Sequence, residues 1–343
     1  MDDTLERIQA VRDAQGTQLL ILTHHYQRME IADLGDFTGD SFELARIAAD
    51  RPDARVIVFC GVHFMAEAAR LLAAPDQRVF MPDPQAGCPM ADMIDRRDLE
   101  AAWARIHRVV GSEIVVPITY MNSSAETKAF CGERGGLVCT SSNAERSFRW
   151  ALGQGDRVLF VPDEFLGRNS AAAVGVPEEA VAVYDPHTEN GGLSDAEIRR
   201  AKVIVWKGFC HVHTWFTPAH VDAARAAHPG ARVVVHPECP PPVVQAADAA
   251  GSTRFIVDFV RDAGPGAVVV VGTEINLVKR LARDFPDRTV LPLDLSLCPN
   301  MSRTTLEKLA RVLETFPPTH EVLLPPEVVT HARVALQRML ALP

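Results

Sequence analysis

The stretch Val203-Ile204-Val205-Trp206-Lys207-Gly208-Phe209-Cys210-His211-Val212-His213 decides the fold class. Val203 to Val205 is a short, β-branched and continuously apolar run, as expected of a parallel strand covered on both faces. It gives way at once to a glycine-marked loop carrying a cysteine and two histidines. Nine further runs of the same kind lie on either side: Leu19 to Leu22, Val56 to Phe59, Val79 to Met81, Ile114 to Thr119, Leu137 to Cys139, Val158 to Val161, Arg232 to Val235, Ala267 to Val271 and Thr289 to Leu291. Amphipathic stretches separate them, among them Phe64 to Leu72, Ser194 to Ala201, Leu277 to Asp284 and Leu306 to Thr315. This alternation predicts an α/β protein. The conspicuous polar residues fall just past strand ends, as in His24-His25-Tyr26-Gln27, Tyr120-Met121-Asn122, His236-Pro237-Glu238 and Thr273-Glu274. In open α/β sheets that end of the strands forms the ligand crevice.

Length and charge narrow the function classes. The 343 residues suggest two or three domains. Thirty-five basic against 44 acidic residues leave a net charge of -9, with the basic residues dispersed, so a nucleic-acid partner is not expected. The acidic start Met1-Asp2-Asp3 lacks the pattern of a secretory signal, and no apolar run reaches the roughly 18 residues of a membrane span. No membrane association is expected, and a cytoplasmic location is. Seven cysteines without a C-x-x-C pair fit neither a disulfide framework nor a zinc ribbon. Three of them recur in similar dress after a strand: Gly87-Cys88-Pro89-Met90, Gly208-Phe209-Cys210 and Leu297-Cys298-Pro299-Asn300-Met301. The repetition suggests three α/β units of about 100 residues, each closing on a cysteine-bearing loop.

Three thiolates brought to one point are a natural ligand set for an iron–sulfur cluster with one iron left open. The competing reading is that each cysteine is a small buried hydrophobe. Cys60 and Cys139 fit that reading because they end apolar strands, Cys131 and Cys239 are undecided, and Cys88, Cys210 and Cys298 fit it poorly in their Gly- or Pro-marked loops. His24, His25 and Tyr26 offer groups for proton transfer or substrate binding, and His236 and Glu238 are acid/base candidates. His211-Val212-His213, read as a strand, would place both imidazoles on one face as a metal pair. Hydroxyls mark three expected helix starts, at Asp40-Ser41-Phe42-Glu43, Thr140-Ser141-Ser142-Asn143 and Gly251-Ser252-Thr253. They suit anion binding or plain N-capping, and Asp40 with Glu43 has the spacing of a capping box. No Walker loop or G-x-G-x-x-G occurs. Pro240-Pro241-Pro242 is expected to open a helix running to Ala247.

Taken in order, Leu22-Thr23-His24-His25-Tyr26-Gln27, Gly39-Asp40-Ser41, Cys60-Gly61-Val62-His63, Gly87-Cys88-Pro89-Met90, Tyr120-Met121-Asn122-Ser123-Ser124 and Cys139-Thr140-Ser141-Ser142-Asn143 closely resemble the quinolinate synthase A family. Pro162-Asp163-Glu164-Phe165-Leu166-Gly167, Gly208-Phe209-Cys210-His211-Val212-His213, His236-Pro237-Glu238-Cys239, Gly251-Ser252-Thr253, Gly272-Thr273-Glu274 and Cys298-Pro299-Asn300-Met301 continue the match over about residues 18 to 315. The resemblance implies an enzyme of NAD biosynthesis that condenses iminoaspartate with dihydroxyacetone phosphate to give quinolinate, phosphate and water. It implies three αβα units with small parallel sheets around a pseudo-threefold axis. The expected boundaries are 1–86 plus 299–343, 87–207 and 208–298, with the site at their junction.

Carried over by motif, Cys88, Cys210 and Cys298 would hold an oxygen-sensitive [4Fe–4S] cluster. His24, Ser41, Ser141, Ser252 and Thr253 would hold the triose phosphate. Tyr120, Asn122 and His213 would position substrate, and Tyr26 and Glu238, with His236 beside them, would move protons. An aspartate-oxidising enzyme is the expected source of the imine, by contact or by diffusion. The chain departs from many relatives at Thr214-Trp215, where they carry an acidic residue, and at His25, where they carry Asn or Tyr. It also seems longer over Phe130 to Gly136, which would leave Cys131 exposed. The competing readings are a zinc hydrolase, with His211, His213 and His24 or His236 as ligands and Glu238 as base, and a non-catalytic iron–sulfur sensor.

Overall fold

The structure is a computed structural model and describes residues 2–342. Its strands form three separate, wholly parallel sheets. The first contains β1 (Leu19–His24), β2 (Phe37–Gly39), β3 (Val56–Cys60) and β4 (Arg78–Phe80) in the order β2-β1-β3-β4. The second contains β5 (Val115–Tyr120), β6 (Leu137–Cys139), β7 (Arg157–Val161), β8 (Val181–Tyr184) and β9 (Val203–Trp206) in the order β6-β5-β7-β9-β8. The third contains β10 (Arg232–Val235), β11 (Ala249–Ala250), β12 (Val268–Gly272) and β13 (Thr289–Pro292) in the order β11-β10-β12-β13. Helices cover the faces, giving three αβα units. All ten expected runs are strands. The three additional ones, β2, β8 and β11, lie at sheet edges, where one side stays partly exposed and the apolar signal fades.

The three sheets share one plan. In each, the second strand in sequence lies at an edge, the first lies inside it, and the third pairs on the other side of the first. The strand order therefore reverses beside β1, β5 and β10, and such switch points open a crevice beyond the carboxyl ends of the strands.

Continuous apolar strands need cover on both faces, and they have it. In the third sheet Val233, Val235 and Val270 join one core cluster while Val234, Val269 and Val271 join another, as the period of two requires. In the first, Leu20, Leu22, Ile57 and Phe59 face a large core shared with the second unit, and Leu19, Ile21, Val58 and Phe80 face Leu309 and Leu313 of the helix Leu306–Thr315. The last helix, Pro326–Leu340, lies on the helix Ala125–Glu133. A Cβ on Gly132 would sit 1.9 Å from the His331 carbonyl oxygen, so only glycine admits that close approach. Cys131 beside it is fully buried in the core, which corrects the expectation that it is exposed. No helix of the described residues is long and apolar enough to cross a membrane.

Candidate active site

The crevices of the three sheets open into one shared cavity of about 70 Å³. Each unit contributes to it in the same way. Past the first strand come His24 and Tyr26, Tyr120 and Asn122, and His236 and Glu238; past the edge strand come Ser41, Ser141 and Thr253; past the last strand of each sheet come Cys88, Cys210 and Cys298. With His213, these are thirteen of the fourteen residues assigned to the site by motif. Ser252 is the exception: it does not line the cavity, and its hydroxyl accepts the Phe255 N–H to cap the helix Thr253–Asp262.

Four of the seven cysteines, Cys60, Cys131, Cys139 and Cys239, are buried, and the three of the cavity are half-buried. Each of the three opens a helical turn. The Cys88 carbonyl accepts the Asp92 N–H at 3.1 Å, Cys210 that of Thr214 at 3.0 Å, and Cys298 that of Ser302 at 3.2 Å. The turn aims backbone N–H groups at the sulfur: Ala91 and Met90 at Cys88, Val212 at Cys210, Met301 and Asn300 at Cys298. Such donors stabilise a thiolate. Burial works against them, pushing Cys88 up to about 12 and Cys210 and Cys298 upward as well; neighbouring sulfurs add to the effect at Cys88 and Cys210, and Glu274 and Glu238 at Cys298.

Beside the cysteines runs a hydrogen-bonded set of buried side chains. Tyr120 donates its hydroxyl to Glu238 Oε1 at 2.5 Å, and His213 Nδ1 lies 2.8 Å from Glu238 Oε2. Burial alone would raise the Glu238 carboxyl, but the imidazoles of His213 and His236 and the bonds from His213 and Tyr120 hold it well below the usual range. Burial, reinforced by the Glu238 charge, keeps the hydroxyls of Tyr26 and Tyr120 protonated. Burial also brings His24 and His236 down to about 3, so both are neutral at physiological pH. His24 Nδ1 accepts the Tyr26 N–H at 3.1 Å and His236 Nδ1 accepts the Glu238 N–H at 3.3 Å, which leaves the proton of each ring on Nε2.

Of the hydroxyls in the edge-strand loops, Ser41 and Thr253 stand at helix starts, whereas Ser141 lies in a turn, because the helix expected there begins only at Ala144 with Asn143 as its cap. Ser41 is the first residue of the helix Ser41–Asp50, capped by Asp40, whose Oδ1 accepts the Glu43 N–H at 2.8 Å. The reciprocal half of a capping box is missing, because Glu43 turns to Arg254 at 3.4 Å. Asp40 Oδ2 accepts the Ser142 hydroxyl at 2.7 Å and so ties this start to the loop bearing Ser141. Thr253 opens the helix Thr253–Asp262. Free N–H groups and hydroxyls converging from three units make a seat for an anion.

Two sequence expectations change. His211–Thr214 is a helical turn, not a strand, so positions two apart point about 200° apart, and only His213 is buried in the network. His25 does not line the cavity; its Nδ1 meets Arg280 Nη2 at 2.5 Å. Other contributors escaped the sequence reading. Asn169 donates to the carbonyls of Pro237 and Cys239 at 2.8 and 2.9 Å, gripping the loop on both sides of Glu238. Glu274 accepts the Cys298 N–H at 3.3 Å, while Asn276 reaches the Tyr26 carbonyl at 3.2 Å. Thr273 bonds both Tyr26 and His213. Thr273-Glu274 stood out only as polar residues past a strand end, and Asn169 and Asn276 not at all, because the partners that give each its role lie elsewhere in the sequence.

As metal donors, a Cys210 sulfur, a His213 nitrogen and a Glu238 oxygen lie within 4.8 Å of one another. Both nitrogens of His213 and both oxygens of Glu238 are already hydrogen-bonded, whereas the three cysteines meet only backbone N–H donors. The thiol trio is the better-prepared donor set.

The family model described as quinolinate synthetase A protein matches residues 6–341. Proteins named quinolinate synthase are similar throughout: that of Corynebacterium glutamicum is 46% identical over 99% of this chain and 88% of its own length, and that of Acidobacterium capsulatum is 48% identical over 98% and 92%. The protein of a Nocardioides species is 48% identical over 99% of this chain and 89% of its own length. With the match running almost end to end and the cavity motifs inside it, the chain belongs to the quinolinate synthetase A family of enzymes.

Proposed function

We propose that the chain is a quinolinate synthase that condenses iminoaspartate with dihydroxyacetone phosphate, releasing phosphate and water, in NAD biosynthesis. The observation that carries the reading is the convergence, on one cavity, of a cysteine, a hydroxyl from the loop after the edge strand and a first-strand polar pair from each of three units. Cys88, Cys210 and Cys298 would hold a [4Fe–4S] cluster; half-burial, N–H donors at each sulfur and the absence of a fourth cysteine in the cavity lining suit a three-thiolate site. When bound, that group supplies a Lewis-acidic iron for a carboxylate or departing hydroxyl.

The chain's own groups then divide the work. Ser41, Ser141 and Thr253, with the Nε2–H of neutral His24, bind the phosphate and position it as a leaving group; Ser252 acts by capping the Thr253 helix. Tyr120 and Asn122 orient the carbon skeleton. Glu238, ionised and fixed by Tyr120 and His213, accepts protons, Tyr26 donates from its hydroxyl, and His236 contributes a neutral N–H. An aspartate-oxidising enzyme supplies that imine, and the cytoplasm is the compartment that suits an oxygen-sensitive cluster.

The test is protein purified without oxygen, analysed for iron and sulfide and supplied with dihydroxyacetone phosphate and enzymatically generated iminoaspartate. About four irons and four sulfides per chain, with quinolinate and phosphate formed together, is the expected result. A colourless protein carrying zinc would overturn it in favour of the hydrolase reading, for which the Cys210, His213 and Glu238 grouping is the specific support. A brown protein releasing no phosphate would favour the sensor.

A further inference from the structure

Outside the central cavity, a second cleft of about 290 Å³ lies between the first and third units. His25, the residue after β1, and Arg280, from the helix Ile275–Asp284, both line it, and each is only 7% exposed. His25 Nδ1 and Arg280 Nη2 meet at 2.5 Å. Arg280 Nη1 and His25 Nε2 are buried and have no partner among the described residues. Such an unpaired donor is costly, above all on a charged group. The neighbouring carboxylates do not supply the pairing, because Arg283 takes them: Asp33 accepts from both its terminal nitrogens, at 2.6 and 2.9 Å, and Asp284 accepts from its Nε at 2.9 Å. Thr38 also lines the cleft, but its hydroxyl donates to the Ala32 carbonyl at 3.1 Å.

What the two free atoms can recognise follows from their chemistry. A guanidinium only donates, so His25 Nδ1 is the acceptor of the bond between them. Burial, with the Arg280 charge beside it, keeps the His25 ring neutral, which puts its one proton on Nε2. Both free atoms are therefore donors, one of them charged, and they suit an anionic acceptor. The rest of the cleft decides between anions. Ala32, Val257, Leu281 and Phe285 give it apolar wall, and the half-exposed Asp33 and Asp284 add negative charge. A phosphate would bring more charge and more oxygens than these donors can serve, next to both aspartates. A carboxylate brings a single charge and one oxygen for each donor, and a hydrocarbon body behind it can cover the apolar wall.

We propose that this cleft binds a small monocarboxylate with an apolar, ring-sized body, its carboxylate on Arg280 Nη1 and His25 Nε2 and its body against Val257, Leu281 and Phe285. His25 belongs to the first unit and Arg280 to the third, so the ligand ties the two units together away from the central cavity. It also sits behind the site. His24 and Tyr26, on either side of His25, line the central cavity, and Asn276, one turn before Arg280, donates to the Tyr26 carbonyl at 3.2 Å. A ligand held by His25 and Arg280 therefore steadies the segment that carries His24 and Tyr26 against the third unit.

The probe is benzoate, with inorganic phosphate as the comparison, each titrated by calorimetry at fixed ionic strength into holoenzyme prepared without oxygen. Benzoate should bind with a Kd on the order of 1 mM, and phosphate about tenfold or more weaker. Arg280→Met and His25→Phe keep much of the bulk and remove the donors, and each should weaken benzoate by about tenfold or more. Crystals soaked in 4-bromobenzoate locate the site directly through the anomalous signal of bromine, and they decide the matter if either variant fails to fold. The carboxylate should lie on Arg280 and His25, with the bromine in the cleft. No saturable binding in solution overturns the proposal, even if the crystal shows binding at its own high concentration only. So do equal affinities in wild type and both variants, phosphate binding as tightly as benzoate, bromine confined to the central cavity, or ordered water alone on the two donors. Quinolinate formation enters none of these readouts, so a failure here leaves the proposed function standing, and a failure of that function leaves the cleft to be judged on its own.

Discussion

Replacing the seven cysteines by serine one at a time should divide them into two groups with opposite behaviour. Cys60, Cys131 and Cys139 are fully buried, and Cys60 sits among Ile21, Val58, Phe80 and Leu309. A serine hydroxyl in that setting finds no partner and costs about 1–3 kcal/mol. That lowers the melting temperature by several degrees, at about 2–4 °C per kcal/mol in large chains. Iron content should not change. Cys239, whose thiol already lies 4.0 Å from the Gly272 carbonyl, should lose least within this group. For Cys88, Cys210 and Cys298 the balance reverses. The N–H groups that face the sulfur can face a serine oxygen equally well, so the fold should lose less than about 1 kcal/mol, while the soft ligand is gone and iron should fall from about four per chain to below about one. Thermal denaturation and iron and sulfide analysis on the same anaerobic preparations read both quantities. A Cys298→Ser protein with its full iron refutes the ligand assignment, and a Cys60→Ser protein that loses iron without losing stability refutes the division.

Other consequences can be checked alongside. Glu238→Gln should retain iron and lower turnover by about 10²–10⁴; near-normal turnover would remove Glu238 from the proton chemistry. Ser41→Ala, Ser141→Ala and Thr253→Val should each raise KM for the triose phosphate by about tenfold to a hundredfold, measured as quinolinate formed against substrate, and unchanged KM in all three would place the phosphate elsewhere. Burial holds His24 and His236 at about 3 in the folded chain, against about 6.5 when unfolded. Between those values the unfolded chain binds protons that the folded chain refuses, so their effect on stability is absent above that window and destabilising as pH falls through it. His24→Gln should flatten the decline of melting temperature on acidification, and an unaltered slope would contradict the assignment.

The strands were legible because burial on both faces writes an unbroken apolar run, and the cysteines because burial and loop context pull apart. Cys60 and Cys139 end apolar strands and prove to be core; Cys88, Cys210 and Cys298 sit in Gly- or Pro-marked loops and prove to reach the cavity. The edge strands left a weaker trace: Phe37–Gly39 and Ala249–Ala250 are too short and too exposed to carry a pattern. The His211-x-His213 pair misled because a period of two means one face only on a strand, and the chain turns helical directly after Cys210. Thr273 was legible only as a polar residue past a strand end, since its partner Tyr26 lies 247 positions away. Asn169 likewise acts on carbonyls 68 and 70 positions further on.

The repeated plan explains why a site of this kind needs three units. Within each, the switch point at the first strand, the loop after the edge strand and the turn after the last strand present one proton-handling group, one hydroxyl and one thiol toward the same end of the sheet. One unit therefore offers a single sulfur and a single anion donor, too little for either a cluster or a phosphate. What holds the three together is uneven. The first and second units share a continuous apolar core, whereas both faces of the third sheet pack into clusters of their own. The third unit meets the first through the half-exposed pairs Asp33 with Arg283 and Glu43 with Arg254, each worth about 0–1 kcal/mol, and through the site itself, in the bonds from Tyr26 to Thr273 and from Asn276 to the Tyr26 carbonyl. Groups that handle substrate thus also join the units, so ligands bridging Ser41, Ser141 and Thr253 or the three cysteines would strengthen the same junction that creates their binding sites.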